Sequence, residues 1–233
     1  EGAGAIRIDI GMPRSAMKNL LYEVLARNGM HDGAHLLLMV TRGTKSTVNQ
    51  DPRFVIGPPT IVCVAEYKTP IPEAKAKGYA LFTSTFRTTG PDQFDLRLNS
   101  HSRLNLIQAL IQAIKAGADE ALMLDPRGFV ASCNSTNFFI VRGGEIWTST
   151  SLYSFKGITQ HNVIDAWRAA GRTARECDFT LAQVYSADEA FVTGTLGGVT
   201  PVTRVDGRPI GNGTAGKLTK EASDLYLKSV GAL

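Results

Sequence analysis

No apolar run in this chain approaches the ~20 residues that a membrane-spanning helix needs. The longest, Leu36-Leu37-Leu38-Met39-Val40, has the length of one buried strand. The opening Glu1-Gly2-Ala3-Gly4 lacks the charged-then-apolar pattern of a secretory signal. Cysteine is scarce: Cys63, Cys133 and Cys177 stand far apart with no Cys-x-x-Cys pair, which argues against a disulfide framework or a structural zinc site and points to a reducing, cytosolic compartment. Blocks of like charge are missing too. The net charge of +4 is spread along the chain, with Arg and Lys interspersed among Asp and Glu, so neither a nucleic-acid surface nor a polybasic membrane anchor is expected.

What is present is ordinary for a globular protein: 43% hydrophobic and 20% charged residues in 233, enough for one large domain or two small ones. Pro13 to Asn28 reads as a helix, with proline in its first turn, Met17, Leu20, Leu21, Val24 and Leu25 at helical spacing, and Gly29 after it. His35–Arg42, Thr60–Tyr67 and Tyr79–Thr85 read as strands bounded by Gly and Pro. Thr89-Gly90-Pro91-Asp92 opens a polar stretch that ends near Leu98 and is the candidate linker. Beyond it the spacing predicts helices over Ser102–Ala116, Thr159–Ala170 and Ala215–Val230. It predicts strands over Glu120–Leu124, Asn137–Val141, Glu145–Thr148, Asp188–Thr193 and Val199–Val205. Helices and strands that do not strictly alternate imply an α+β fold. The division expected is a small N-terminal α/β domain over 1–88, a linker over 89–98 and a large domain over 99–233.

Three small-residue clusters are candidate ligand contacts. Gly157-Ile158-Thr159 precedes a helix, with Thr159 as the N-cap; free N–H groups at such a terminus can hold a phosphate, or the motif is simply a capped helix. Thr193-Gly194-Thr195 ends an apolar strand, where glycine lets a ligand approach the backbone or makes a tight turn. The row Ser132-Cys133-Asn134-Ser135-Thr136-Asn137 lies between strands, where polar side chains commonly satisfy their own backbone. Among ionisable groups His101 and Arg103 flank Ser102 at a helix start; the neighbouring Arg disfavours a charged His101, which suits a neutral base or donor, or the histidine is simply a surface or capping residue. Cys133 has no histidine near it in sequence, which weakens a nucleophile reading.

Taken in order, several segments resemble the class IV aminotransferases, the family of branched-chain and D-amino-acid aminotransferases and aminodeoxychorismate lyase. They are Gly117-Ala118-Asp119-Glu120-Ala121-Leu122-Met123-Leu124-Asp125, Gly128, Asn137-Phe138-Phe139, Gly157-Ile158-Thr159, Ala187 through Thr195, Pro201-Val202, and Asp206-Gly207-Arg208. The resemblance runs from about Pro13 to Tyr226. It implies the two-domain fold type IV, usually in a homodimer, with pyridoxal phosphate in a pocket. Ile158 and Thr159 would meet the cofactor phosphate, with Thr195 close by.

Two departures stand out. The family's Schiff-base lysine falls on Asn99, and no lysine lies between Lys77 and Lys115. The glutamate that pairs with the pyridine nitrogen falls on Ser132, and Gln160 stands where the family tends to have Arg. Covalent attachment of the cofactor is therefore not expected. Ile6-Arg7-Ile8-Asp9-Ile10 resembles the strand that follows the family's His-x-x-Arg-Leu segment, so the small domain is expected to be incomplete at its start. Three readings stay open: a transaminase of amino acids or amines; a cofactor-independent enzyme using Asn99, His101, Arg103 and Ser132 on a small anionic molecule; or a non-catalytic dimeric binding protein.

Overall fold

The computed structural model describes residues 2–70 and 72–232 and divides into two compact units, Glu1–Thr69 and Pro70–Leu233. In the first, a one-turn helix α1 (Gly2–Ala5) and helix α2 (Arg14–Arg27) accompany an antiparallel pair, β1 (Ala34–Thr41) and β2 (Thr60–Tyr67), in register from Ala34↔Tyr67 to Thr41↔Thr60. Pro13 is the N-cap of α2, where its missing N–H costs nothing. Ile6–Ile10, expected as a strand, forms none. Arg7 N donates to Gly4 O at 3.0 Å and Ile8 N to Ala3 O at 2.8 Å, with Arg7 at φ 55°, so these donors close a turn rather than enter a ladder.

The second unit contains, in chain order, α3 (Pro72–Lys77), β3 (Tyr79–Thr83), α4 (Pro91–Phe94), α5 (Leu104–Lys115), β4 (Glu120–Leu124), β5 (Val130–Cys133), β6 (Asn137–Arg142) and β7 (Glu145–Thr148). It continues with α6 (Ile158–Ala169), β8 (Ala174–Glu176), α7 (Leu181–Tyr185), β9 (Glu189–Gly194), β10 (Gly198–Val205), β11 (Arg208–Pro209) and α8 (Lys217–Ser229). One sheet runs β5-β4-β3-β10-β9-β6-β7-β8, with β11 beside β10. β3 lies parallel to β4 and β10, β7 parallel to β8, and the other pairs are antiparallel, which makes the fold α+β. Residues 89–98 lie inside this unit.

Strand alternation sorts the core. Leu122 and Leu124 of β4 join Phe138, Ile140, Val192 and Val202 inside the sheet. Ala121 and Met123 face Ala109 and Ala113 of α5, whose small side chains admit the sheet closely. Phe139, Val141 and Phe191 face α6 and α8 through Val163, Trp167 and Ala222. With both faces covered, β4 and β6 read as continuous apolar runs. Gly143 and Gly144, at φ 55° and 84°, supply the paired positive φ of a two-residue hairpin turn between β6 and β7. The sheet curls into a half-barrel. Val130 N donates to Phe179 O (2.9 Å) and Ser149 Oγ to Ala131 O (2.6 Å), bringing β5 to the segments that follow β8 and β7.

Candidate functional site

A cavity of about 230 Å³ opens in the second unit where the turn from β5 to β6 meets the segment before α5. Its wall comes from that segment, including Asn99 and Arg103, from Ser132–Asn137, from Phe155 and from Thr195. The turn satisfies its own backbone and that of β4. Cys133 N donates to Thr136 O (2.8 Å), and Asn134 exchanges bonds with Ala121, its N donating to Ala121 O (3.0 Å) and its Oδ1 accepting from Ala121 N (2.8 Å). Pinned in this way, the end of β5 presents Ser132 and the turn presents Ser135 and Thr136 to the cavity.

Of the seven residues singled out from sequence, Asn99, Arg103, Ser132 and Thr195 line this cavity. Asn99 Oδ1 accepts from Arg103 Nη2, and Arg103 Nε donates to Ser100 O at 3.0 Å, so the guanidinium is held against the loop. Buried Ser132 donates its hydroxyl to Cys133 O at 3.1 Å. His101 is absent from this wall and lies in a neighbouring open depression with Thr89 and Asn105. Ile158 (exposed) and Thr159 (buried) begin α6 and do not line the cavity.

The cap of α6 requires a correction. Thr159 is not the N-cap; Gly157 is, at φ −72° and ψ 138°, with no side-chain cap bond. Residue 157 has room only for glycine: a Cβ there would stand 2.1 Å from Asn137 Oδ1. Asn137 is 7% exposed and donates its Nδ2 to Phe155 O at 2.8 Å, so the amide ties the cavity wall to the approach to α6.

Sequence reasoning had Asn137 only as the end of a polar row, and it gave Phe155 and Glu120 no role in the site. Glu120 lies on the interior face with Leu122 and Leu124, beneath the cavity wall, and its carboxylate accepts from Ser135 Oγ and, at 2.5 Å, from Thr136 Oγ1. Burial raises its pKa above the usual carboxylate value, against hydrogen bonds from Ser135, Thr136 and Cys133 that lower it. The available signal was an acid opening an otherwise apolar strand. Burial, with the Glu120 charge nearby, pushes the Cys133 thiol well up, which disfavours a thiolate nucleophile.

Electrostatically the wall is simple. Among the described residues that line it, Arg103 is the one cation, with no lysine and no carboxylate. The chemistry on offer is hydrogen bonding by hydroxyls and amides plus one guanidinium, suited to binding a small anion.

The family model for class IV amino-transferases matches residues 1–205. The chain belongs to the class IV aminotransferases. A putative branched-chain-amino-acid aminotransferase of Methanocaldococcus jannaschii is 36% identical over 228 residues, covering 97% of this chain and 77% of that protein. Branched-chain-amino-acid aminotransferase-like protein 2 of Arabidopsis thaliana is 33% identical over 228 residues, 98% of this chain; the chain spans 41% of that plant protein. Among solved structures, the T.th. branched-chain amino acid aminotransferase with pyridoxamine 5′-phosphate superposes with a TM-score of 0.91 at 31% identity, over 99% of this chain and 76% of its own. Family membership accounts for the curled sheet and for the order of its motifs. Family chemistry relies on pyridoxal phosphate. The cavity wall offers hydroxyls, amides and one guanidinium, but no amine for the aldehyde of such a molecule.

Proposed function

We propose that this class IV aminotransferase homologue binds a small phosphorylated or carboxylated molecule without a covalent bond and does not carry out ordinary transamination. What supports this reading is a missing amine: the described cavity wall holds Asn99 and no lysine, and the resemblance puts Asn99 where the family has its Schiff-base lysine. An amide nitrogen does not add to an aldehyde, because its lone pair is delocalised into the carbonyl. Ser132, at the position of the ring-nitrogen glutamate, is a hydroxyl bonded to Cys133 O and brings no charge to keep a pyridine protonated.

The phosphate end finds more support. α6 starts without a side-chain cap, which leaves the N–H groups of Ile158 and Thr159 and the helix dipole for an anion, and Thr195 adds a hydroxyl. Ser154 Oγ and Thr193 Oγ1, buried and without partners, lie in the same two stretches of chain. Pyridoxal phosphate and pyridoxamine phosphate are accordingly proposed as reversible ligands. The working form is proposed to be a cytosolic homodimer. Leu104, Ile107, Ile111 and Ile114 of α5 form an exposed apolar stripe at three- and four-residue spacing that a second copy would cover.

Calorimetric titration with both vitamers tests the reading. With no imine to form, the aldehyde and the amine should bind within about threefold of each other and leave on dialysis. A coloured band that survives dialysis, or a preference for the aldehyde of about 100-fold, would overturn the noncovalent assignment. Binding of neither would overturn the anion site.

A further inference from the structure

We infer that Glu120 sets the hydrogen-bonding polarity that Ser135 and Thr136 present to the cavity, so that an anionic ligand binds together with one proton. This rests on the anion-binding reading above and adds to it a residue that lies outside the cavity wall.

The two hydroxyls stand between Glu120 and the cavity. Ser135 Oγ donates to Glu120 Oε1 and Thr136 Oγ1 to Oε2, and both residues line the cavity. A hydroxyl has one proton to give. While Glu120 is ionised, both protons point inward at the carboxylate, and the cavity meets only oxygen lone pairs, which repel an anionic acceptor. Once Glu120 is protonated, its own O–H donates to one hydroxyl. That hydroxyl is then free to turn its proton to the cavity, where it can donate to a phosphate or carboxylate oxygen. The proton comes from solvent, and no covalent bond changes.

Glu120's surroundings allow this exchange. It is 8% exposed, and among the described residues no Lys, Arg or His lies within ion-pair reach of it. The groups around it are Asp119, next in the chain, Tyr79 of β3 and the Cys133 thiol of β5, none of them a cation. α5, which packs on β4, has Lys115 as its one titratable residue, exposed in the last turn. Arg103, across the cavity, is the cation that an incoming anion would meet. Burial favours the neutral carboxyl, so the proton is held at a higher pH than in an ordinary glutamate.

The experiment is calorimetry with pyridoxamine phosphate in two buffers of different ionisation enthalpy, on the full chain and on Glu120→Gln and the double variant Ser135→Ala/Thr136→Val. The ligand's own titration is common to all three proteins and cancels in the differences. Wild type should take up a proton that Glu120→Gln does not, and its affinity should rise by up to about tenfold per unit fall in pH where Glu120 titrates. Glu120→Gln, a permanent neutral partner, should bind with little dependence on pH beyond the ligand's own. The double variant, with Glu120 kept, should lose the linkage as well. Equal proton uptake by wild type and Glu120→Gln overturns the inference and leaves the anion site standing. Linkage that persists in the double variant overturns the hydroxyl relay. No binding to wild type at any pH overturns the inference together with the reading it rests on.

Discussion

Replacing Gly157 by alanine isolates the contact that organises the start of α6. At φ −72° and ψ 138° the backbone is one that alanine adopts freely, so any cost must come from the side chain. The added Cβ would lie 2.1 Å from Asn137 Oδ1 and 3.2 Å from its Cγ, so the amide has to move. Moving it breaks the 2.8 Å bond to Phe155 O and leaves a buried amide without a partner. A lost hydrogen bond of about 1 kcal/mol and an unsatisfied buried amide of about 1–3 kcal/mol sum to roughly 2–4 kcal/mol. For a chain of this size that corresponds to a fall in melting temperature of about 5–15 °C. Urea denaturation of a double-mutant cycle tests the cause. In an Asn137→Ala background the clash is gone, and Gly157→Ala should then cost less than about 0.5 kcal/mol. A full-sized loss in both backgrounds would show that Asn137 is not what requires glycine here.

The remaining expectations concern charge and the anion. Arg103→Gln removes the one cation of the described cavity wall and should weaken pyridoxamine phosphate binding by about tenfold or more, measured by titration, whereas His101→Ala should change it by less than about threefold. A crystal grown in sulfate should show the ion at ~2.7–3.2 Å from the Thr159 backbone nitrogen, and a side chain in that place would remove the phosphate seat. Because the pKa of Glu120 is raised in the fold, its stabilising contribution is present below the ordinary glutamate value and is lost as pH rises through the folded value. The stability of wild type relative to Glu120→Gln should therefore fall as pH rises through that window and then level off, read from urea midpoints; a difference that grows with pH would contradict the burial assigned to Glu120.

Elements whose signal is local were legible in the sequence. Thr60–Tyr67, Glu120–Leu124 and Glu145–Thr148 appear at their expected bounds, because their runs of Val, Ile, Leu or Trp are closed by glycine, proline or a polar turn. Val130–Cys133 was not legible: Val-Ala-Ser-Cys has little strand preference, and the strand exists because β4 offers it a ladder. The converse holds for Ile6–Ile10, whose alternation suits a strand but which lacks a partner in register. Thr159 has the preferred chemistry of an N-cap, yet the helix starts earlier, after Gly157, where Asn137, twenty residues away in sequence, leaves no room for a side chain. Asn99 and Ser132, singled out by the order of the motifs, both line the cavity. That His101 lies outside while Arg103 lies on the wall depends on an irregular loop, whose spacing says nothing about facing. Glu120 stayed hidden because its apolar neighbours made the whole run read as core.

This fold is proposed to hold an anion site without an amine able to capture an aldehyde. The direct measurement is borohydride reduction of the protein with stoichiometric pyridoxal phosphate, followed by peptide mass spectrometry, alongside Asn99→Lys. No phosphopyridoxyl adduct is expected at the cavity of the wild-type chain, and an adduct is expected at residue 99 of the variant. A stoichiometric adduct on a wild-type lysine near the site, with Lys156 beside Gly157 the one to watch, would contradict it.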